Sequence, residues 1–228
     1  SARSLAGIPS RPRSDQGHYT TSPPSWRCAP VPAAYSGRMP VIELHLIEGY
    51  DDDAKARLGR VLTDAVRQVV PAAPEAITVM MTEHSSDGWM RGGERRTPAP
   101  ALPDPKAVVL DFLAAMEARD LDAARHRLSP DFEMRFPGTG PMHRLEELIE
   151  WAAPRYRSVR KSIEGTEIAS VSGATTVWVY GTLAGKWPDG SPFEGIRFVD
   201  RFLLEDGLIA RQDVWNDIGE ARAAGAAP

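Results

Sequence analysis

The residues best placed to do chemistry lie toward the C-terminal end of the chain. Between Arg197 and Leu204 one alternating face reads Phe198, Asp200, Phe202, Leu204, and the other reads Arg197, Val199, Arg201, Leu203. In a half-buried strand the aromatic face is the one that turns inward. Asp200 then sits between two phenylalanines, where its carboxylate loses hydration, the condition that suits a carboxyl group to general acid/base work. The bland alternative is an aspartate satisfied by Arg197 or by another partner across a sheet. Trp178 and Tyr180 share one face of a neighbouring predicted strand and either line the same pocket or belong to plain core. Asp213, in the run Asp213-Val-Trp-Asn-Asp217, is expected at the pocket rim.

Other chemistries find little support. His18, His45, His84, His126 and His143 are scattered, without the i,i+4 pairing that sets two imidazoles on one metal, so no metal site is expected. The single cysteine, Cys28, excludes an intrachain disulfide and a cysteine-based zinc cluster. No glycine-rich loop runs from a strand into a helix to cradle a phosphate; Gly92-Gly93 is too short. No serine sits at a recognisable strand-to-helix elbow. Neither a cofactor nor a nucleotide is expected. With 27 Lys+Arg against 31 Asp+Glu, the net charge of −4 leaves no global basic surface for a nucleic-acid backbone. No apolar stretch approaches the ~20 residues that span a bilayer. These features predict a soluble, cytoplasmic protein with no membrane partner.

The elements that would position Asp200 follow from the pattern of residues 105–221. Pro105 suits the first helical position, and Val109, Phe112, Leu113 and Met116 make an apolar stripe behind it. Leu121, Ala124 and Leu128 continue a second short helix. Phe132 to Phe136 reads as a strand, and Leu145, Leu148, Ile149 and Ala152 mark a third helix. Four strands follow, over 163–171, 175–184, 193–204 and 208–214, joined at Ser172-Gly173, Pro188-Asp189-Gly190 and Asp206-Gly207, all hairpin signals. Helices first and a strand meander afterwards predict an α+β domain whose curved sheet closes on its helices.

An earlier block, residues 39–95, has a different plan. Ile42, Leu44 and Leu46 form one face of a strand over 41–48, and Gly49 ends it. Asp51 is the expected N-cap, with Asp52 and Asp53 in the first turn. Leu58, Val61, Leu62, Ala65, Val66 and Val69 then form one stripe of a helix of about 18 residues, stopped by Pro71 and Pro74. A second strand over 76–83 completes a βαβ unit with parallel pairing. One helix covers one face of two strands, so the other face must be buried by copies of the unit or by the rest of the chain.

The remaining segments carry no apolar period. Residues 1–38 hold five arginines (Arg3, Arg11, Arg13, Arg27, Arg38) against Asp15, a net +4 that leaves −8 for the rest. Their Ser, Pro and Arg content predicts a disordered leader. Residues 96–104 read as a Pro/Ala linker, and residues 222–228 as a disordered tail.

Two families are recognisable on these residues. Met39-Pro-Val-Ile-Glu-Leu-His-Leu-Ile-Glu-Gly49, the acidic helix start, Met81-Thr-Glu83, Trp89 and Gly92-Gly93 resemble 4-oxalocrotonate tautomerase-like proteins over some 55 residues. That resemblance implies an oligomer of βαβ subunits with an N-terminal proline as catalytic base, the position that Pro40 matches. A free N-terminal proline is a secondary amine, and in an apolar pocket desolvation of its ammonium form favours the neutral base. The family's two arginines that hold a substrate carboxylate would fall at Tyr50 and Thr78, so the usual dicarboxylate is not the expected substrate. Trp89 stands for the family's aromatic, and Arg91 is the candidate for a displaced cation, or else an exposed loop arginine. As written, Met39 acylates Pro40, whose nitrogen then has no basic lone pair; the proline either becomes a base on removal of Met39 or simply opens an edge strand.

The second block, over some 115 residues, resembles the SnoaL-like group of the ketosteroid isomerase, or nuclear transport factor 2-like, superfamily. The resemblance rests on Glu117-Ala-Arg-Asp120-Leu-Asp-Ala-Ala, Ser129-Pro-Asp-Phe132, Phe136-Pro-Gly138 and Val199-Asp-Arg-Phe-Leu-Leu-Glu-Asp-Gly207. It implies a cone of curved antiparallel sheet packed on helices, a pocket for flat apolar molecules, and a catalytic aspartate seven residues before the hairpin glycine, the spacing from Asp200 to Gly207.

Three functional readings follow. The first is a fused proton-transfer enzyme, a keto-enol tautomerase or isomerase of a small enolisable carbonyl compound, whose SnoaL-like part binds or processes an apolar ligand. In the second, an Asp200-dependent isomerase or cyclase does all the chemistry and the first domain serves assembly. The third is a non-catalytic ligand-binding and oligomerisation protein. Each expects a small-molecule partner and a homo-oligomer.

Overall fold

The computed structural model describes residues 39–171 and 173–225. The expected leader over 1–38 and the last three residues lie outside that range. The chain divides between Pro98 and Ala99 into two compact units. No helix among the described residues is long and apolar enough to cross a membrane.

In the first unit, β1 (Val41–Ile47) and β2 (Thr78–His84) pair in parallel, joined by α1 (Asp52–Arg67). The α1 start is fixed by Asp51, whose Oδ1 accepts the Ala54 N–H at 2.8 Å, with Asp52 and Asp53 at the positive end of the helix dipole. Alternation sends Ile42, Leu44, Leu46, Val79 and Met81 to the face that meets α1; Lys55 of α1 reaches Glu83 on that face at 3.1 Å. The opposite face carries Val41, Glu43, His45 and Met80, all exposed. Of the helix stripe, Leu58, Leu62 and Val66 are half-buried, while Val61 and Val69 stand in the open. A 3-10 turn over Pro74–Ala76 delays the second strand to Thr78, and a small hairpin, β3 (Met90–Arg91) with β4 (Glu94–Arg95), follows it.

The second unit is α+β. α2 (Pro105–Ala118), capped by Asp104, and α3 (Leu121–Arg125), capped by Asp120, precede β5 (Leu128–Arg135) and α4 (Leu145–Ala152). Four long strands follow: β6 (Ser158–Val171), β7 (Ala174–Lys186), β8 (Pro192–Glu205) and β9 (Leu208–Asn216). The sheet order is β5-β9-β8-β7-β6, antiparallel except where β5 runs parallel to β9. Register shifts at Ile163/Gly165, Leu183/Gly185 and Leu203/Leu204 are bulges that bend the long strands into a curved sheet. At the β8–β9 hairpin, Asp206 and Gly207 both adopt positive φ, 49° and 81°, the pair that a tight two-residue turn requires. The core lies between this sheet and the helices: Val109 and Phe112 of α2 meet Phe132, Met134, Phe198 and Phe202, with Phe112 edge-on to Phe202 at 5.9 Å.

Several boundaries in the second unit differ from those the sequence suggests, three of them with structural consequences. β5 begins at Leu128, running through Ser129-Pro130, because an edge strand tolerates a proline that donates nothing to a ladder. β6 begins at Ser158 instead of 163, which adds Lys161 to the sheet. Where a disordered tail was expected from 222, a final helix α5 (Ile218–Gly225) continues.

Candidate functional site

Asp200 is fully buried on the inner face of β8, between Phe198 and Phe202, with Val179 and Val214 directly beside it on the adjoining strands. It does not stand alone. Lys161 Nζ lies 2.6 Å from Asp200 Oδ2 and 4.0 Å above the Phe198 ring. Lys161 sits on β6, two strands away, and its side chain must cross β7 to arrive. The residue of β7 opposite Phe198 is Gly181, which brings no side chain into that space; a Cβ there would lie 2.0 Å from the Ser162 carbonyl oxygen. Gln212 of β9 donates its Nε2–H to the same Asp200 oxygen at 3.2 Å. That bond fixes the amide, since the opposite orientation would set two acceptors against each other.

The arrangement leaves two buried acceptors, Asp200 Oδ1 and Gln212 Oε1, with no hydrogen-bond partner among the described residues. A buried unpaired acceptor costs about 1–3 kcal/mol. A donor brought by a ligand, or a proton taken from one, would relieve that cost. The centre therefore has one carboxylate oxygen anchored and one free, beside a cation whose side chain keeps 24% of its exposure. Such a group can accept a proton from a bound molecule.

The other second-unit candidates lie on the opposite face of the sheet. Asp200 pairs with Val179 and Val214, so Trp178, Tyr180 and Asp213 have the other parity. Trp178 stacks on Trp215 with ring centroids 6.2 Å apart, and Tyr180 donates toward Glu167 at 3.4 Å. Asp213 is held by Arg201 at 3.1 Å and by Arg211 at 2.9 Å, and its carboxylate keeps the Arg211 guanidinium above its ordinary range. Together with Trp215, Phe136 and Arg135 it lines an open cleft of about 520 Å³. The structure brings Trp178 and Asp213 to one outer surface and separates both from Asp200.

In the first unit Pro40 precedes β1, half-buried, and its carbonyl accepts the Thr78 N–H at 2.9 Å. Tyr50 lies past the other end of β1; seven strand residues at about 3.3 Å each put roughly 23 Å between the two. Trp89 sits at that far end as well, its ring 5.5 Å from His84, which in turn meets His45 at 2.8 Å between ring nitrogens. Arg91 is exposed in β3. Within one chain, then, Pro40 is apart from Tyr50, Trp89 and Arg91.

Sequence reasoning missed Lys161 and Gln212. Carrying the period-two pattern of β6 back from Ile163 sets Lys161 on the same face, but nothing local says which lysine reaches across a neighbouring strand. Gln212 sits in an otherwise unremarked run, and its role depends on the β8–β9 register. Among the described residues no group of three or more His, Cys, Asp or Glu side chains is arranged to hold a metal ion.

The tautomerase enzyme family matches residues 40–97, and the SnoaL-like domain family matches residues 109–212. A search of curated proteins found no match. Among solved structures, an NTF2-like protein of unknown function from Burkholderia pseudomallei is 19% identical with a TM-score of 0.46, over 55% of this chain and 100% of that one. An NTF2-like protein from Burkholderia thailandensis is 16% identical with a TM-score of 0.43, over 55% and 100%. TerC, co-crystallised with polyporic acid, is 16% identical with a TM-score of 0.44, over 52% and 95%. The chain thus joins a βαβ unit that the tautomerase family model matches from its opening proline to a curved sheet on helices that the SnoaL-like family model matches over most of its length.

Proposed function

We propose that the chain is an isomerase-type, proton-transfer enzyme acting on a small enolisable carbonyl compound, with the SnoaL-like unit as the site of catalysis on an apolar ligand. The observation that carries this reading is the free Oδ1 of a fully buried Asp200 whose other oxygen is anchored by Lys161 and Gln212. A carboxylate held this way is oriented for one task, because only one oxygen remains to receive a proton. The apolar neighbours of Asp200, namely Phe198, Phe202, Val179 and Val214, suit an organic molecule that presents a carbonyl and little other charge.

The test is solvent exchange at carbon. With 2-tetralone, a bicyclic ketone with acidic hydrogens beside its carbonyl, the full chain in D2O is expected to incorporate deuterium well above the buffer rate. Asp200→Asn is expected to return that rate to within a few-fold of buffer. Exchange that survives the substitution undiminished removes Asp200 as the base.

A second centre at Pro40 is favoured by one observation, the tautomerase-family match that opens at that residue. It requires a chain that begins at Pro40, and it requires other copies, since Tyr50, Trp89 and Arg91 lie at the far end of their own subunit. An N-terminal mass starting at Pro40, from protein made from the native gene, supports this centre; a mass starting upstream removes it and leaves the first unit to assembly.

A further inference from the structure

The geometry points to Lys161 as a catalytic electrophile: we infer that its ammonium receives the oxygen of the enolate that Asp200 makes. This rests on the proton-transfer reading of Asp200 and adds to it a second group in direct contact with substrate.

The argument starts from donors. A lysine ammonium carries three N–H groups. One goes to Asp200 Oδ2, and the ammonium lies above the Phe198 ring, a face that attracts a cation without accepting a directed bond as a carboxylate does. No other acceptor among the described residues holds it. The same charge is partly exposed whereas Asp200 is not, so of the two groups Lys161 is the one that a molecule arriving from solvent meets first. Free donors and the free acceptor Oδ1 thus stand on two neighbouring groups tied to each other.

That is the geometry enolisation needs. A proton leaves the carbon beside the carbonyl for Asp200 Oδ1. The C–H electron pair becomes the C=C bond, and the carbonyl π pair moves to oxygen, where the new negative charge meets the Lys161 N–H groups. Delivery of the proton from Asp200 to a conjugated carbon completes an isomerisation, and delivery to the same carbon after the carboxyl proton has been replaced by one from solvent completes an exchange; either regenerates the carboxylate. A cation fixed where charge develops, beside a fully buried carboxylate, stabilises the transition state more than the neutral ketone.

The alternative is that Lys161 only holds Asp200 in place. Lys161→Gln separates the two, because an amide still donates to Oδ2 while the positive charge is gone. With 2-tetralone as probe, Lys161→Gln is expected to lower kcat for exchange by tenfold or more with KM changed less than threefold, and Lys161→Arg to keep the rate within tenfold of wild type. Lys161→Met is expected to lose 10²-fold or more, the scale of removing one oxyanion donor; should it fail to fold, the glutamine and arginine variants decide. A glutamine variant that exchanges within threefold of wild type while Asp200→Asn is dead overturns the electrophile and leaves the base intact. Exchange unaffected by Asp200→Asn, or absent from wild type, overturns both.

Discussion

In the first unit Ile77 alone among the described residues is buried, whereas the second encloses Phe112, Phe132, Met134, Phe198 and Phe202 at 3% exposure or less. Both contain helices and strands of ordinary length, so the difference lies in how many layers meet. Two parallel strands and one helix leave a sheet face and half a helix stripe uncovered; five strands and their helices close around a core. This decides which unit can host chemistry within a single chain. An ion pair with a buried partner is held more firmly than one between exposed side chains, and the second unit supplies that burial for Asp200 by itself. Pro40, half-buried in the first unit, has no comparable burial.

The largest test of that contrast is a matched pair of truncations. Phe202→Ala removes a fully buried ring from the second core and is expected to lower its stability by about 3–5 kcal/mol. Leu44→Ala, half-buried against α1, is expected to lower that of the first unit by about 1–2 kcal/mol in dilute protein. Denaturant titration at two protein concentrations measures both. A Leu44→Ala loss as large as the phenylalanine loss, and growing with concentration, would mean that copies of the chain complete the first unit's core.

Much of this contrast is legible in the sequence. The strand of Ile42, Leu44 and Leu46, the α1 cap at Asp51 and the inward placement of Asp200 all follow from local period and capping chemistry, which short-range sterics and burial enforce. What local patterning could not supply is register. Whether Trp178 shares a face with Asp200 depends on the pairing of Asp200 with Val179 across β7 and β8, a relation between residues far apart in the chain. Lys161 was invisible for the same reason, since its partner is 39 positions away. The helix over Ile218–Gly225 also escaped notice, for its Ala- and Gly-rich run carries a weak apolar stripe.

An intermediate effect probes how the closed unit makes room for its charged pair. Gly181→Ala sets a methyl group against the backbone carbonyl of Ser162, which no side-chain rotation relieves. A stability loss of about 1–3 kcal/mol is expected, the range for overpacking. Because Gly181 lies opposite Phe198, under the path of Lys161, the same variant is expected to slow 2-tetralone exchange more than its stability loss alone explains. Full exchange in a folded Gly181→Ala protein would show that the lysine does not need this gap.

The smallest effects come from helix caps, and they sharpen the contrast because the chemistry is the same in both units. Asp51 caps α1 through the Ala54 N–H at 2.8 Å, and Asp104 caps α2 through the Lys106 N–H at 2.9 Å. Replacing either by alanine is expected to remove about 1 kcal/mol. The consequence should differ. α2 is pinned by Val109 and Phe112, so its cap loss is shared with the whole core and appears as a slightly lower unfolding midpoint. No residue of α1 is fully buried, so its first turn opens locally, and amide hydrogen exchange near Ala54 is expected to quicken about fivefold in Asp51→Ala, the same energy read as a rate. Asp51→Asn keeps the acceptor but gives up the charge at the helix start, and is expected to recover most of that protection. Equal protection of both helices in wild type, unmoved by Asp51→Ala, would mean that α1 is held as firmly as α2, and that a covering surface is already in place over the first unit.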